Sequence, residues 1–239
     1  MNSKSKINET IRLFRTAPHP CSYKDNETAT TIFVDPELTI NQNLNSTLSE
    51  LGYRRSGAHL YRPGCDHCQA CVSCRLPVHE FNPSKRFQRI LHRNKDLRVV
   101  KSHSLEGGEA YALYKDYINK RHSDGDMFPA TYEQYEAFIL KKTEGSRYYS
   151  FFLEDKLLAV SVTDILDHGL SAVYTFFDPE QQRRSLGNFV ILWQIQQVIT
   201  MKLDYLYLGY WIKGCPKMHY KSTFRPLEML IEGKWITVK

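Results

Sequence analysis

The sequence predicts an α/β (α+β) protein of two unequal parts, and three observations carry that prediction. Before about residue 100, short strand-like runs are broken by turns and by a dense cysteine run. Between residues 106 and 142, apolar and aromatic side chains recur at helical spacing. From residue 148 onward, three strand-like runs in succession lead into a long helical pattern and one further aromatic strand. We therefore expect a smaller cysteine-containing domain over residues 1–100 and a larger one over residues 101–239.

Each element has a local reason. Residues 30–34 are β-branched or aromatic and stop at Asp35-Pro36, so they read as a strand. Residues 44–51 suit a short helix ended by Gly52, and residues 75–81 alternate enough for a strand. In the segment 85–101, Phe87, Ile90 and Leu91 sit at helical spacing. Residues 106–122 predict a helix, and residues 131–142 a second one that opens on a Thr-Tyr-Glu-Gln capping sequence. The period then changes to two over residues 148–153, 157–166 and 170–177, joined by Glu154-Asp155-Lys156 and Asp167-His168-Gly169, which suit hairpin turns. Asp178-Pro179 ends the third run, and Leu186, Val190, Trp193 and Val198 begin a helix, followed by a strand over residues 205–212. Two helices, an antiparallel meander, a helix and a strand form the order of the acetyltransferase-like α/β fold, here for the C-terminal domain.

Composition narrows the class. The chain has 239 residues, 42% of them apolar and 13% aromatic, enough for a packed core. No apolar run approaches a membrane span, and the polar start Met1-Asn-Ser-Lys-Ser-Lys-Ile7 lacks the apolar stretch of a secretory signal. The expected location is the cytoplasm, with no membrane partner. There the tripeptides at Asn8 and Asn26 carry no meaning as glycosylation signals, and six cysteines are thiols or metal ligands rather than disulfides. The net charge is +6, and it is uneven: residues 85–101 carry seven Lys or Arg against the single acid Asp96. Lys85, Arg86, Arg89 and Arg93 can line the open face of that helix. They form a solvated surface or, read for function, a surface that binds a polyanion by releasing its counterions.

Four groups of residues could carry chemistry. The first is Gln182-Arg-Arg-Ser-Leu-Gly187, where the turn before the long helix should point the backbone N–H groups of residues 185–188 at a phosphate or an oxyanion. Acyl-CoA enzymes place a glycine where this chain has Ser185. The second is Cys65, Cys68, Cys71 and Cys74, with two residues between successive cysteines, a spacing that clamps a metal and leaves zinc and an iron–sulfur centre both open, with Cys21 as a fifth contributor. The third is Arg54, Arg55 and Arg75, whose guanidinium forks match a carboxylate. The fourth is Asp164, Tyr174 and Asp178 with the cluster Lys217, His219, Tyr220 and Lys221, brought together if their strands lie side by side. Asp164 interrupts an apolar strand, so its carboxylate must be paired.

Gly52-Tyr-Arg-Arg-Ser-Gly57, the cysteine run ending at Arg75, Val162-Thr-Asp-Ile-Leu166, Ser171-Ala-Val-Tyr174, Phe177-Asp-Pro179, Ser185-Leu-Gly187, Tyr207-Leu-Gly-Tyr-Trp-Ile212, Cys215-Pro-Lys-Met218 and Tyr220-Lys221 together resemble the arginyl-tRNA–protein transferase family. The short length and the Tyr61-Arg-Pro segment with its four cysteines resemble the bacterial branch, the aspartate/glutamate leucyltransferases. The resemblance implies transfer of leucine from leucyl-tRNA to proteins with N-terminal Asp or Glu, marking them for degradation. It also implies an acetyltransferase-like domain that uses no coenzyme A. The eukaryotic branch carries a Cys-x-x-Cys pair associated with an iron–sulfur centre, and here Cys21-Ser-Tyr-Lys24 has lysine in the second place. Such a reaction requires no cofactor for its chemistry: the donor is an activated ester, and an α-amine of pKa about 7.7–8.0 is substantially neutral in the cell. Asp164, Tyr174, Ser185, Lys217, Tyr220 and Lys221 are the catalytic candidates. Arg54, Arg55 and Arg75 are candidates for the acceptor, and the basic helix for tRNA. An arginine donor, a coenzyme A-dependent N-acetyltransferase and a non-enzymatic metal-bearing RNA-binding module are the alternatives.

Overall fold

A computed structural model describes residues 11–238; the Asn8 tripeptide and the segment Met1–Ile7 lie outside the described residues. Strands β1 (Leu13–Arg15), β2 (His19–Pro20), β3 (Thr28–Ala29) and β4 (Thr31–Val34) lead to helix α1 (Gln42–Glu50), then β5 (Arg54–Ser56), β6 (His59–Pro63) and β7 (Val72–Pro77). Helix α2 (Lys85–Arg93) and β8 (Arg98–Ser102) precede α3 (Gly108–Arg121) and α4 (Tyr132–Tyr135). The meander is β9 (Ser146–Leu153), β10 (Lys156–Ile165) and β11 (Gly169–Phe177); α5 (Leu186–Thr200), β12 (Tyr205–Trp211), β13 (Leu227–Ile231) and β14 (Lys234–Val238) complete the chain.

An eight-stranded sheet in the order β14-β13-β7-β12-β11-β10-β9-β8 dominates, and a four-stranded sheet in the order β1-β4-β6-β5 forms the N-terminal part. Strand β7 precedes residue 100 and β8 spans it, yet both belong to the large sheet. The division expected at residue 100 therefore falls within β8, a strand of one continuous sheet. The small sheet has its own core of Val34, Leu44, Leu48, Tyr53 and Leu60.

The large sheet is covered on both faces. Against one face Phe87 and Ile90 of α2 pack with Phe189, Val190 and Ile195 of α5, and against the other Tyr114, Tyr117 and Ile118 of α3 pack with Tyr135 of α4. Helix α5 is aligned by a buried polar contact: Gln194 Nε2 donates to Ser161 Oγ at 2.9 Å and to Thr163 Oγ1 at 3.0 Å, which explains the polar residues inside β10. The helix expected over residues 131–142 is α-helical for one turn only, then passes into a π turn over Glu136–Leu140. Its carbonyls are taken by tertiary donors, Ile139 O by the Tyr148 hydroxyl at 2.6 Å and Lys141 O by Arg55 Nη1 at 3.2 Å. The strand expected over residues 75–81 begins earlier and ends at Pro77, where a 3₁₀ turn takes over.

Candidate active site

The site forms where β11 and β12 part. These parallel neighbours are in register only through Gly169–Tyr205, Leu170–Leu206 and Ser171–Tyr207. Past Ser171 the backbone of β11 needs another partner, and the N-terminal part supplies it: Arg54 Nη2 donates to Ala172 O at 2.9 Å. On the opposite side lies Gly209, at φ +82°, where a Cβ would stand 2.6 Å from the Arg54 guanidinium carbon. A glycine is required there, by its left-handed backbone and by the space the guanidinium fills. Arg54 thus wedges the two strands apart, and its Nη1 is buried without a hydrogen-bond partner.

Three other groups, Cys74, Lys221 and Tyr210, gather around it, and Tyr174 lies further along β11. Cys74 Sγ donates to Gly209 O at 3.1 Å. The Lys221 ammonium donates to Tyr210 O, and the Tyr210 hydroxyl donates to Gly52 O at 2.9 Å. Tyr174, on β11, packs edge-on against Phe138 at 4.8 Å and against Tyr117 at 6.4 Å. Burial, with Tyr117 and Tyr114 nearby, holds its phenol well above the ordinary range, so it remains a proton donor at neutral pH. Burial lowers the Lys221 ammonium to about 8; the Arg54 charge also lowers it, while Cys74 and Cys215 oppose the shift.

The other two candidate arginines are spoken for. Arg55 faces away from Arg54, as successive strand residues do. It forms a fork onto Asp164, Nε to Oδ2 at 2.6 Å and Nη2 to Oδ1 at 2.8 Å, with 1% and 0% of the side chains exposed. Asn45 Nδ2 at 3.1 Å and Ser146 Oγ at 2.9 Å complete the carboxylate's shell. Asp164 is therefore paired, as its strand position requires, and neither it nor Arg55 has a group free for a substrate. Arg75 bonds Glu228 at 2.6 Å and Glu50 at 2.9 Å, and its guanidinium lies 3.6 Å from the Tyr205 ring centre and 4.3 Å from that of Trp235. It welds α1 to the large sheet.

Of the remaining catalytic candidates, Lys217 pairs with Asp124 at 2.8 Å near the surface, and Asp178 pairs with Lys156 at 2.8 Å. His219 is exposed, and Tyr220 is 40% exposed beside Lys221. The expected cluster is thus divided: Tyr220 and Lys221 lie with Arg54, Tyr174 packs among Tyr117, Phe138 and Phe176, and Asp164, Asp178 and Lys217 are held elsewhere by ion pairs. Ser185 has φ 52° and ψ 47°, the left-handed conformation that a glycine would fill, and its side chain does not cap α5. The first amide with a carbonyl of the new helix to bond is that of Phe189, onto Ser185 O at 3.0 Å, which leaves the N–H groups of Leu186, Gly187 and Asn188 ahead of it.

The basic helix stands beside that turn. Asn94, at the C-cap of α2, donates to Arg184 O at 2.9 Å, and Arg93 donates to Arg183 O. Lys85, Arg86, Arg89 and Arg93 are exposed, and among the described residues none of the four is paired with an acid. Their face runs on toward the N-terminus of α5.

The cysteines divide in a way the spacing did not predict. Cys74 is buried on β7 and faces the wedge, while Cys65, Cys68 and Cys71 line a pocket of about 330 Å³ with Cys21, Tyr23 and Lys24. Burial and then the neighbouring Cys21, Cys65 and Cys68 push the Cys71 thiol up to about 11. Among the described residues, no three Cys, His, Asp or Glu side chains converge closely enough to hold a metal ion. The expected four-cysteine set therefore does not fit one centre in this arrangement, because the strand that begins at Val72 carries Cys74 away from the other three. Two site features escaped sequence reasoning, Gly209 and the buried face of Cys74. A glycine inside an aromatic strand was the available signal for the first, since it marks a close approach.

A splayed sheet, a helix N-terminus at its mouth and, among the described residues, a cation in the gap with no carboxylate bonded to it make an α/β site suited to acyl transfer. The family model described as arginine-tRNA-protein transferase, N terminus, matches residues 19–89, and that described as arginine-tRNA-protein transferase, C terminus, matches residues 109–231. The chain belongs to this family. It is 49% identical over 226 residues to an aspartate/glutamate leucyltransferase of Pseudomonas fluorescens, covering 95% of this chain and 96% of that protein. To a protein of the same description from Pseudomonas aeruginosa it is 46% identical over 228 residues, covering 95% and 97%. A solved structure of L-PGS from Bacillus licheniformis matches with a TM-score of 0.46 and 8% identity over 60% of this chain and 46% of that one, a likeness too loose to carry weight.

Proposed function

We propose that this protein transfers leucine from leucyl-tRNA to the N-terminal Asp or Glu of acceptor proteins, marking them for degradation in the cytoplasm. The observation that carries the acceptor half is Arg54, the one candidate arginine with a buried N–H lacking a partner and with no carboxylate bonded to it. A buried donor left unpaired is costly, and an acidic side chain of the acceptor repays that cost on binding.

The chemistry then needs little beyond placement. The neutral α-amine attacks the ester carbonyl, a C–N bond forms, and the tetrahedral oxyanion collapses with release of the terminal ribose hydroxyl. The proton lost by nitrogen goes to that leaving oxygen. Protonated Tyr174 and the amides of Leu186, Gly187 and Asn188 are the donors we assign to the oxyanion and to the tRNA terminus. Lys85, Arg86, Arg89 and Arg93 track the phosphate backbone that leads there. The cysteine pocket is assigned no step in the transfer.

Leucine is favoured over arginine as the donor by the fate of the two aspartates that could have met a cationic acyl group. Asp164 is saturated by Arg55, and Asp178 by Lys156. The test supplies purified protein with a peptide beginning Asp and either labelled leucyl-tRNA or labelled acetyl-CoA. Label should move from leucyl-tRNA; movement from acetyl-CoA alone would replace this reading.

A further inference from the structure

Lys221 sits in the 3₁₀ segment Pro216–Thr223 that follows β12, and only 7% of it is exposed. An ammonium has three N–H donors, yet among the described residues its one hydrogen bond is to the carbonyl of Tyr210. The groups that face it are Arg54 from β5, Cys74 from β7, Cys215 from the turn before the 3₁₀ segment, and the Tyr220 ring, whose centre is 5.8 Å away. No carboxylate is among them. The contrast with the rest of the interior is plain, because buried Arg55 holds Asp164 and buried Arg75 holds Glu50 and Glu228. Among the described residues, buried Lys221 and half-buried Arg54, whose Nη1 is itself buried, are thus left without a counter-charge. Interior cations are stable where an anion meets them, so this arrangement asks for one from outside.

We propose that Lys221 is a specificity-determining residue, which together with Arg54 grips the side-chain carboxylate of the acceptor's N-terminal residue. This rests on the leucyl-transfer reading and deepens it. An arginine fork matches the two acceptor oxygens of a carboxylate, where an amide offers one acceptor and one donor, and a lysine point charge beside it adds a second reward for a full negative charge. The pair therefore separates Asp and Glu from Asn and Gln, which have similar shape and no charge. The burial of Lys221, with the Arg54 charge beside it, adds a second consequence. With its pocket empty the ammonium loses its proton as pH rises through about 8, and a bound carboxylate returns it. Acceptor binding should weaken above that pH for acidic acceptors and not for their amides.

The experiment measures KM and kcat at saturating leucyl-tRNA for peptides beginning Asp, Glu and Asn, from pH 6.5 to 9.5, with wild type, Lys221→Gln and Lys221→Met. Thermal melting and tRNA binding report whether each variant is folded. The expected result is a rise in KM for Asp and Glu of at least about 30-fold, with the loss falling on KM rather than kcat. The Asp-over-Asn preference should shrink by a similar factor, and the alkaline rise in KM should vanish. A folded variant that keeps its KM and preference, or loses only kcat, overturns the proposal. If both variants fail to fold, wild type decides: the Asn-to-Asp ratio of KM must fall above pH 8, and a flat ratio overturns it. Absence of leucyl transfer by wild type to any acidic peptide is a different failure, that of the function itself, and needs no variant to see.

Discussion

Replacing Arg54 by Met tests the wedge most sharply, because the structure separates its effect on stability from its effect on function. In the free protein the substitution removes one hydrogen bond, Nη2 to Ala172 O, worth about 1 kcal/mol, and also removes a buried donor that has no partner. These terms oppose each other, so the melting temperature should move by only a few degrees, at about 2–4 °C per kcal/mol. With an acidic acceptor bound the balance differs. The carboxylate loses its buried partner at a cost of about 2–5 kcal/mol, which lowers kcat/KM for Asp and Glu peptides by roughly 30-fold to several thousand-fold. For an Asn peptide the loss should be far smaller, and leucyl-tRNA affinity should hold, since Arg54 lies away from α2. Steady-state kinetics with the three peptides, together with a melting curve and a tRNA titration, read all of these. A folded Arg54→Met protein with its Asp-over-Asn preference intact would refute the assignment of the acceptor pocket.

Gly209→Ala should mimic that loss, because its Cβ would stand 2.6 Å from the Arg54 guanidinium in a left-handed backbone; acceptor kinetics of the folded variant check it. Arg55→Ala strands Asp164 in the interior, so we expect a loss of about 3–5 kcal/mol, or roughly 6–20 °C in melting temperature. A melt within two or three degrees of wild type would contradict the burial argument. Replacing Arg86, Arg89 and Arg93 together with Ala should lower the slope of log affinity for tRNA against log salt by about 2–3, and an unchanged slope would move the tRNA surface elsewhere. Lys221 also leaves a mark on stability: its folded pKa of about 8 is below the unfolded value of 10.5, so between them the unfolded chain binds more protons. Its contribution is fully present above 10.5 and is lost as pH falls through 8. Wild type should therefore gain stability over that window relative to Lys221→Met in pH-dependent urea unfolding.

The meander, the long helix and the last aromatic strand were legible because their periods are strong and their ends are marked by Asp178-Pro179 and by two polar hairpin turns. The boundary at residue 100 was not, since β7 gives no sign in its own residues that it will insert between β12 and β13. Residues 131–142 carry a good helical start, yet their later carbonyls are claimed by Tyr148 and Arg55 from distant strands. The need for Asp164 to be paired followed from its place in an apolar strand; which cation would do so did not. Arg54 and Arg55 are adjacent in sequence and opposite in role, a distinction that appears once they lie on a strand, whose faces alternate. Arg75 is locked by Glu50, Glu228, Tyr205 and Trp235, residues scattered over most of the chain. Cysteine spacing did not reveal, for a related reason, that a strand starting at Val72 carries Cys74 out of the run.

The central claim is a pair of substrates, and one competition measures both. Leucyl-, arginyl- and phenylalanyl-tRNA, charged separately and labelled differently, are offered together to the protein with peptides beginning Asp, Glu, Arg and Lys. Leucine should move, and onto Asp and Glu alone, because half-buried Arg54 and buried Lys221 accept a carboxylate and no free acid remains at Asp164 or Asp178 to hold an arginyl group. Preferred transfer of arginine, or of any residue onto a peptide beginning Arg or Lys, would contradict the account.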